Sequence, residues 1–553
     1  MEEFKCDEKL CAVCGHDCSH AHGNKRAETK PVTVEEMGAR REARAARQAE
    51  LCGEHGLPVV SFTMNIAGPV KYSPAIETCF NVGLEELSKA LSRFNAKLVH
   101  EEYHIAHTGC EALLVYKGVN ARLIKAVAVK TEEATAFGRL FDIDVIEEGR
   151  KLERPHPRKC LICSKPASDC ARNRTHSVEE LTRAADALLR EATAYSASAA
   201  AYGALIDEVM TTPKPGLVDR VNNGANTDMD IPLFEKSAGA LAPYFYSMAY
   251  LAADADAPES GHGEGCEEDD GVNCADCPSH ETCGLEHGAS LMTKLTILGV
   301  DAEAAMKRAT GGVNTHKGAI YCLGLIASAY ARLTSLGKDR GPLDIIEETK
   351  RLAAQRPDPG RGTNGYFMRR EHASEIPEGK PFGADAEARA GFPAAMNAYR
   401  NAVDAANAQM LLSTTINALR DELSTAWDVE INGTTITYQS SDTGGKSKIE
   451  LKDGKIMLQE YVKESGQGWL EAEVKTGTER LLVSDAMTKG LAKDMAATYT
   501  GAEAEKENGR IAYIKIKGLE VKRGETVTAK MPDVSESDKG VLLIRVLTGG
   551  EAA

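Results

Sequence analysis

The segment GRLFDIDV, Gly138–Val145, determines how the first part of the chain is interpreted. Its apolar residues alternate with Asp142 and Asp144, and this period of two is typical of a β-strand. Residues two apart in a strand point to the same face of the sheet. The sequence therefore predicts a strand that presents two carboxylates side by side.

Paired carboxylates of this kind are a candidate Mg²⁺ site. Two carboxylate oxygens can hold the ion against a polyphosphate, and the ion would offset charge on a departing pyrophosphate. The cations Lys125, Lys130 and Arg139 lie close enough in sequence to assist. From the pattern alone, a solvated strand face explains the two aspartates equally well.

The segments around this strand predict an α+β domain. We expect a helix over residues 34–51, which are rich in Ala, Arg and Glu, and strands over 61–66, 111–118 and 122–130. Residues 158–174 form a basic, Cys-rich connector, and Ser177 with Glu180 has the spacing of a helix capping box.

Three cysteines in the connector, Cys160, Cys163 and Cys170, are one ligand short of a structural zinc site. His156 or His176 could complete such a site. Burial of the thiols in the core is the interpretation that the sequence favours, because cysteine is among the most frequently buried residues.

Four segments in a fixed order carry a family resemblance. They are NIAGPVK at residues 65–71, Glu132–Glu133, GRLFDIDV at 138–145 and RKCLICSKPASDCARNRTHS at 158–177. Together they resemble the citrate lyase holo-acyl-carrier synthase, or phosphoribosyl-dephospho-CoA transferase, over residues 31–190. The resemblance implies a nucleotidyltransferase-like fold and an enzyme that attaches a nucleotide to a carrier-protein serine and releases pyrophosphate.

The same resemblance implies roles for single residues. Asp142 and Asp144 become the Mg²⁺ ligands, and the phosphate contacts become Gly68, Lys71 and Arg139. Ala67 stands where the family pattern has a loop proline, so the loop loses some rigidity but keeps its glycine and lysine.

Residues 195–410 are rich in Ala and Leu and predict an all-α region with two polar islands, at 208–230 and 312–318. The second island precedes an apolar helix, and helix N-termini favour phosphate. Alternatively, these side chains cap helices and satisfy loop backbones. The candidate site residues of the islands are Lys214, Asp219, Asn222, Asn223, Asp228, Asp230, Asn314, Thr315, His316 and Lys317.

The islands resemble those of triphosphoribosyl-dephospho-CoA synthase over residues 195–395. That resemblance implies joining of ATP to 3′-dephospho-CoA with release of adenine. It makes Asp228 or Asp230 the base or a Mg²⁺ ligand, and it places His316 and Lys317 on the triphosphate.

Three features depart from the synthase pattern. Asn226 replaces a histidine, and Asp385 and Ala386 replace an arginine and a glycine. The Asp-Thr-Asn and Arg-Gly-Gly elements expected downstream are missing. A transferase with an inactive, synthase-like scaffold and a metal- or redox-active cysteine module is therefore an alternative to a bifunctional enzyme.

The remaining segments complete a multidomain organisation. It consists of a Cys/His-rich tail (1–30), the transferase domain (31–190), a helical synthase-like domain (191–412) with a Cys-rich insertion (254–288), and a β-rich domain of unknown role (427–553). Two further groups of cysteines could each bind zinc or an iron–sulfur cluster, or could remain free thiols. They are Cys6, Cys11, Cys14 and Cys18, and Cys266, Cys274, Cys277 and Cys283.

The charge and hydropathy of the chain restrict its partners. The net charge of −16 argues against nucleic-acid binding, and no run reaches the ~18 apolar residues of a membrane helix. A cytoplasmic enzyme is expected. The resemblance implies the acyl carrier (gamma) subunit of citrate lyase as its partner, with the carrier of malonate decarboxylase as the alternative.

Overall fold

The computed structural model describes the chain in several segments: residues 27–163, 165–254, 290–356, 383–440, 445–460, 479–484, 487–488, 491–492, 494–507, 510–532 and 540–546. Two compact units are present, one that runs to Pro393 and one that begins at Ala394. The predicted boundaries differ from these limits. Residues 190 and 412 each fall inside a long helix, Val178–Met210 and Pro393–Ser424.

The first unit begins with a five-stranded antiparallel sheet in the order β2-β3-β1-β4-β5. The strands are β1 (Val59–Met64), β2 (Lys97–Ala106), β3 (Gly109–Lys117), β4 (Phe141–Glu147) and β5 (Arg150–Lys151). The accompanying helices are α1 (Val34–His55), α2 (Pro74–Ser92), α3 (Ala121–Glu133) and α4 (Ala167–Asn173), and a 3₁₀ turn covers Phe137–Leu140. This part has the predicted α+β character.

The two faces of this sheet are buried differently. Phe62, Leu114 and Ile143 point into the main core, where they pack with residues of α2 and α3. On the opposite face, Leu51 of α1 packs against Val59 in a smaller cluster. Alternation along each strand thus separates a fully apolar face from one that also carries polar side chains.

One predicted strand is wrong. Residues 122–130, RLIKAVAVK, lie within helix α3, which begins after the N-cap Asn120, whose side chain accepts a hydrogen bond from Leu123 N at 2.9 Å. Ile124, Val127 and Ala128 are buried at helical spacing. A short apolar run fits either period, and here the cap selects the helix.

Among the strands that the structure describes, only β5 lies beside one edge of β4, and charged side chains contact the backbone along the rest of that edge. Strand β5 pairs with it only at Ile146 and Glu147. Glu132 Oε1 accepts from Ile143 N at 2.7 Å, and Lys125 Nζ donates to Ile143 O at 2.9 Å. Backbone groups left unpaired in a buried position would be costly, so these contacts stabilise the strand.

The rest of the first unit is helical, as predicted. Its helices are α5 (Val178–Met210), α6 (Ile231–Asp254), α7 (Leu291–Thr310), α8 (Lys317–Ser335), α9 (Pro342–Ala354) and α10 (Ala384–Ala390). Helix α5 begins with the capping box predicted from Ser177 and Glu180. Its first turns pack on the sheet through Leu189, and its later turns pack in the helical core through Leu205.

The second unit combines helix α11 (Pro393–Ser424) with three antiparallel sheets, which agrees with the predicted β-rich region. The strands are β6 (Ala426–Asn432), β7 (Thr435–Ser440), β8 (Gly445–Lys452), β9 (Lys455–Glu460), β10 (Arg480–Leu481), β11 (Ala496–Thr498), β12 (Gly501–Glu507), β13 (Arg510–Lys517), β14 (Glu520–Arg523), β15 (Thr526–Lys530) and β16 (Val541–Arg545). Leu412 and Leu419 of α11 pack with Tyr438 and Ile514 in one core.

None of the helices that the structure describes is long and apolar enough to cross a membrane.

The edge of β4 yields a stability prediction. The Glu132 side chain is 3% exposed and also pairs with Arg158 and Arg154, whereas the Glu133 side chain is 61% exposed. Glu132→Gln removes one charge of a buried network and should lower the free energy of unfolding by about 3 kcal/mol in urea denaturation. The neighbouring control Glu133→Gln should stay within about 0.5 kcal/mol. Equal effects of the two changes would contradict the role given to Glu132.

Candidate functional sites

Asp142 and Asp144 lie on one face of β4, as the sequence alternation predicts. The flanking Phe141 and Ile143 are buried, whereas both aspartates are partly exposed. Their strand neighbours on β1 are Thr63 opposite Asp142 and Ser61 opposite Asp144. The face is therefore polar along both strands, which suits a charged ligand.

Each aspartate is paired with a cation. Arg158 Nη2 lies 2.9 Å from Asp142 Oδ1, and Lys151 Nζ lies 2.5 Å from Asp144 Oδ2. Lys125 Nζ is 3.7 Å from Asp144 Oδ1. Positive side chains around two carboxylates form a surface that can receive a phosphate group once a cation shares the carboxylates.

The carboxylates of this face suit an open Mg²⁺ site better than a metal site formed entirely by protein ligands. Mg²⁺ is usually bound by one or two carboxylates together with substrate phosphates. Within the part of the chain that the structure describes, no third Asp or Glu oxygen joins those of Asp142 and Asp144 to form a cluster of three. Water molecules and a substrate phosphate would supply the remaining oxygens.

Buried ionisable groups stand behind the two aspartates. Burial lowers the pKa of Lys125, although Asp144 opposes the shift. Burial raises the pKa of Glu132, although Arg158 opposes the shift. Because Arg158 contacts both Glu132 and Asp142, the buried and the exposed carboxylates share one cation.

The NIAGPVK loop lies beside the start of β4. Asn65 N donates to Leu140 O at 2.7 Å, and Gly68 has a φ of +78°, a conformation that favours glycine. Lys71 Nζ donates to Ile66 O at 2.6 Å and so bridges its own loop. Burial and the nearby Arg41 lower the pKa of Lys71.

Arg139 does not face the two aspartates through its guanidinium. Its Nη2 donates to the carbonyl of Cys160, and this hydrogen bond links the connector to the 3₁₀ turn. The cation beside Asp142 is instead Arg158, a residue of the connector for which the sequence predicted no role.

The connector brings three cysteines and a histidine together. The ligand atoms of Cys160, Cys163, Cys170 and His176 all lie within 4.8 Å of one another. His176, rather than the exposed His156, is the fourth member. The other two Cys groups, at residues 6–18 and 266–283, lie outside the described residues.

In the first polar island, Asp219 organises the loop between α5 and α6. Its carboxylate accepts from Lys214 N at 3.0 Å, Val221 N at 2.8 Å and Asn222 N at 3.0 Å. These three backbone donors lower the pKa of Asp219. Because its oxygens are already engaged, we assign Asp219 to the loop rather than to substrate.

Other residues of this island also serve the local backbone. Asn222 accepts from Gly224 N at 2.7 Å, and Asp230 accepts from Leu233 N at 2.9 Å at the start of α6. Asn226, which replaces the expected histidine, donates to Asn223 O at 3.3 Å. Asp228 is exposed.

His316 is the most unusual side chain of the second island. The residue is 6% exposed, Nδ1 lies 2.8 Å from Ser237 Oγ, and the buried Nε2 has no hydrogen-bond partner among the described residues. Burial lowers the pKa of His316, although Glu208 opposes the shift. A buried polar atom without a partner is rare, and it marks the position where a ligand could complete the site.

The neighbours of His316 shape the entrance to α8. Thr315 Oγ1 lies 2.7 Å from the same Ser237 Oγ, and Asn314 caps the helix by accepting from Lys317 N at 3.2 Å. Lys317 Nζ pairs with Glu303 at 3.0 Å. Sequence reasoning missed Ser237, because its link to the island depends on how α6 packs.

Asp385, which replaces an expected arginine, is surrounded by cations and a phenol. It accepts from Tyr321 Oη at 2.9 Å and from Arg389 Nε at 2.9 Å, and Arg356 Nη1 lies at 3.4 Å. Burial would raise the pKa of Asp385, but the bonds from Arg389 and Tyr321 outweigh it and lower the pKa.

Two family models match the chain in tandem. One described as apo-citrate lyase phosphoribosyl-dephospho-CoA transferase matches residues 32–192, and one described as ATP:dephospho-CoA triphosphoribosyl transferase matches residues 194–357. These matches confirm both family resemblances that the sequence motifs indicated.

Curated relatives carry names that correspond to both activities. A Haemophilus influenzae protein named Protein CitXG is 31% identical over 312 residues, which cover 55% of this chain and 61% of the relative. A Vibrio cholerae protein named probable apo-citrate lyase phosphoribosyl-dephospho-CoA transferase is 34% identical over 158 residues, 27% of this chain and 87% of the relative. A Klebsiella pneumoniae 2-(5''-triphosphoribosyl)-3'-dephosphocoenzyme-A synthase is 36% identical over 192 residues, 34% of this chain and 54% of the relative.

Coverage differs between the two parts. The match spans nearly all of the Vibrio transferase but about half of the Klebsiella synthase and less than two thirds of the Haemophilus relative. The second region matches the model described as ATP:dephospho-CoA triphosphoribosyl transferase, and through its first region the chain belongs to the apo-citrate lyase phosphoribosyl-dephospho-CoA transferase family.

Proposed function

We propose that this chain builds and attaches the phosphoribosyl-dephospho-CoA prosthetic group of citrate lyase. In the first reaction, ATP and 3′-dephospho-CoA give triphosphoribosyl-dephospho-CoA and adenine. In the second, the product is transferred to a serine of the apo acyl carrier (gamma) subunit, and pyrophosphate leaves. The tandem families support this sequence of steps, because the product of one is the substrate of the other.

The observation that carries the transferase proposal is the polar face of β4. We assign Asp142 and Asp144 as the residues that would hold Mg²⁺, which when bound offsets charge on the departing pyrophosphate. Arg158 and Lys151 lie where they can attract the polyphosphate of the substrate. An antiparallel sheet that carries two such aspartates is compatible with a nucleotidyltransferase-like fold.

The loop after β1 supplies a second group of phosphate contacts in this proposal. Gly68 keeps the backbone of the loop open to a ligand. Lys71 would exchange its bond to Ile66 O for a phosphate oxygen, a change that involves one side chain. Arg139 acts at a distance, because its bond to Cys160 O holds the connector that carries Arg158.

For the synthase reaction, His316 is the residue that we assign to proton transfer. The ribose hydroxyl of dephospho-CoA must lose a proton as it attacks the anomeric carbon of ATP, and adenine must gain one as it leaves. Burial lowers the pKa of His316 and so favours the neutral imidazole, which suits the exchange of a proton better than the neutralisation of a phosphate.

The remaining island residues surround His316 in this proposal. Lys317, Asn314 and Thr315 lie at the N-terminus of α8, where the triphosphate would be favoured. Lys214 and Asn223 extend the polar loop between α5 and α6, and Asp228 or Asp230 remains the candidate for a base or a Mg²⁺ ligand.

The transferase proposal is tested with supplied triphosphoribosyl-dephospho-CoA, Mg²⁺ and apo citrate lyase acyl carrier protein. Asp142→Asn and Asp144→Asn should each reduce the transfer rate by roughly 100-fold or more, because each removes a ligand and a charge. The intact mass of the carrier reports the reaction. Glu147→Gln, at the exposed end of the same strand, should retain the wild-type rate.

The transfer assay distinguishes an error in the assigned site from an error in the assigned partner. Full activity of both aspartate variants would refute the assigned site. If the apo carrier of malonate decarboxylase is modified and the citrate lyase carrier is not, the partner is wrong but the chemistry stands.

The synthase proposal is tested by adenine release from ATP and 3′-dephospho-CoA, measured by chromatography. His316→Gln should reduce the rate by roughly 100-fold, within the range expected for loss of general acid–base catalysis. His107→Gln provides the control, since His107 pairs with Glu36 far from this island in sequence. If the wild-type chain transfers supplied substrate but releases no adenine, the helical region is a scaffold and the bifunctional proposal fails.

A further inference from the structure

The sulfur and nitrogen atoms of the connector are spaced like the ligands of one metal ion. Cys163 Sγ lies 3.4 Å from Cys170 Sγ and 3.4 Å from His176 Nε2. Zinc–sulfur bonds of about 2.3 Å and zinc–nitrogen bonds of about 2.0 Å in a tetrahedron place neighbouring ligands roughly 3.5–3.8 Å apart. A disulfide would need about 2.05 Å, so the two sulfurs are not bonded to each other.

Separate backbone features bring the four ligands to this point. Cys160 and Cys163 lie in a tight turn closed by Cys160 N→Lys165 O and Ala167 N→Arg158 O, both 2.8 Å. Cys170 comes from helix α4, and His176 directly precedes the N-cap of α5.

Simple packing does not account for these contacts. A buried free cysteine usually behaves as a small apolar side chain among other apolar groups. Here the sulfurs of Cys163 and Cys170 meet each other, and an imidazole nitrogen completes the cluster. Three thiols and one imidazole form a ligand set of structural zinc sites.

The cluster is linked directly to the polar face of β4. Arg158, two residues before Cys160, bonds to Phe141 O at 2.7 Å and to Asp142 Oδ1 at 2.9 Å. Arg139 holds the carbonyl of Cys160 itself. An ion at the cluster would therefore fix the segment that carries Arg158.

We propose that Cys160, Cys163, Cys170 and His176 bind one structural Zn²⁺, and that this ion holds the connector so that Arg158 stays beside Asp142. The positioning role of the ion rests on the proposed transferase function, but none of the four ligands is a residue assigned to either reaction, so binding of the ion can be tested without either activity. Arg158 is positioned by the ion, and the ion itself takes no part in the chemistry.

The first test is the metal content of the full chain, purified under reducing conditions and measured by inductively coupled plasma mass spectrometry. Cys163→Ser combined with His176→Gln should remove about one equivalent of zinc per chain relative to the wild type. Cys52→Ser, a half-buried thiol elsewhere in the same unit, should remove none. Comparing variants with the wild type cancels any metal held by the other cysteine groups.

A second variant keeps the test decisive if the double variant does not fold. His176→Cys supplies a fourth thiolate and should retain the zinc equivalent. After cobalt substitution, it should also show stronger thiolate-to-metal absorption than the wild type. Zinc content that is unchanged in the double variant, or zinc lost in His176→Cys, would refute the site.

The positioning role has its own readout in limited trypsin digestion, because the connector contains several lysines and arginines. Removing zinc with a chelator should accelerate cleavage within residues 158–174 by at least tenfold, and the double variant should be cleaved at that rate without chelator. Mass spectrometry localises the cuts. Equal cleavage of this segment with and without zinc would overturn the positioning role. Only the binding of the ion would then remain of the proposal.

Discussion

The free edge of strand β4 is the constraint on which the candidate transferase site depends. Glu132 accepts from the N–H of Ile143, Lys125 donates to its carbonyl, and Arg158 donates to the carbonyl of Phe141. In most sheets a further strand would satisfy these groups. Here a helix and a connector satisfy them with charged side chains, and Asp142 and Asp144 project from the segment that is held in this way.

This arrangement connects burial with charge. Glu132 and Lys125 are nearly inaccessible, so their electrostatic interactions are stronger than those of surface pairs. Arg158 joins the buried Glu132 to the exposed Asp142, and its backbone belongs to the segment that contains the cysteine cluster. The charge next to Asp142 therefore depends on the conformation of a connector that is distant in sequence.

Helix α5 joins the transferase and synthase regions within one compact unit. It runs without interruption from Val178 to Met210 and contributes to both cores. Other contacts also link the regions, such as Arg340 to Glu77 at 3.2 Å. The fusion places both proposed reactions in one compact unit, which raises the effective concentration of their shared intermediate.

The sequence predicted the elements whose signals are local. Alternation gave the register of Asp142 and Asp144, and the spacing of Ser177 and Glu180 gave the start of α5. The short apolar run at residues 122–130 fits both the strand and the helix period, and the N-cap Asn120 is the local feature that selects the helix. The contact of Ser237 with His316 joins two segments far apart in sequence and has no local signal. For the cysteine cluster, the sequence left open whether His156 or His176 is the fourth member, and the fold brings His176 to Cys163.

The side chains around the two substituted positions of the synthase region limit the effect of each substitution. Asp385 puts a negative charge where the family pattern has a positive one, but it is bonded to Arg389 and lies close to Arg356. One carboxylate among two guanidiniums leaves the group with a positive sum, so the attraction for a phosphate is reduced but not reversed. Asn226 replaces the histidine in a loop that Asp219 organises on its own, and His316 lies on a different segment. Neither substitution changes His316 Nε2, which is buried and has no hydrogen-bond partner among the described residues, and the proton transfer that we propose depends on what that atom contacts.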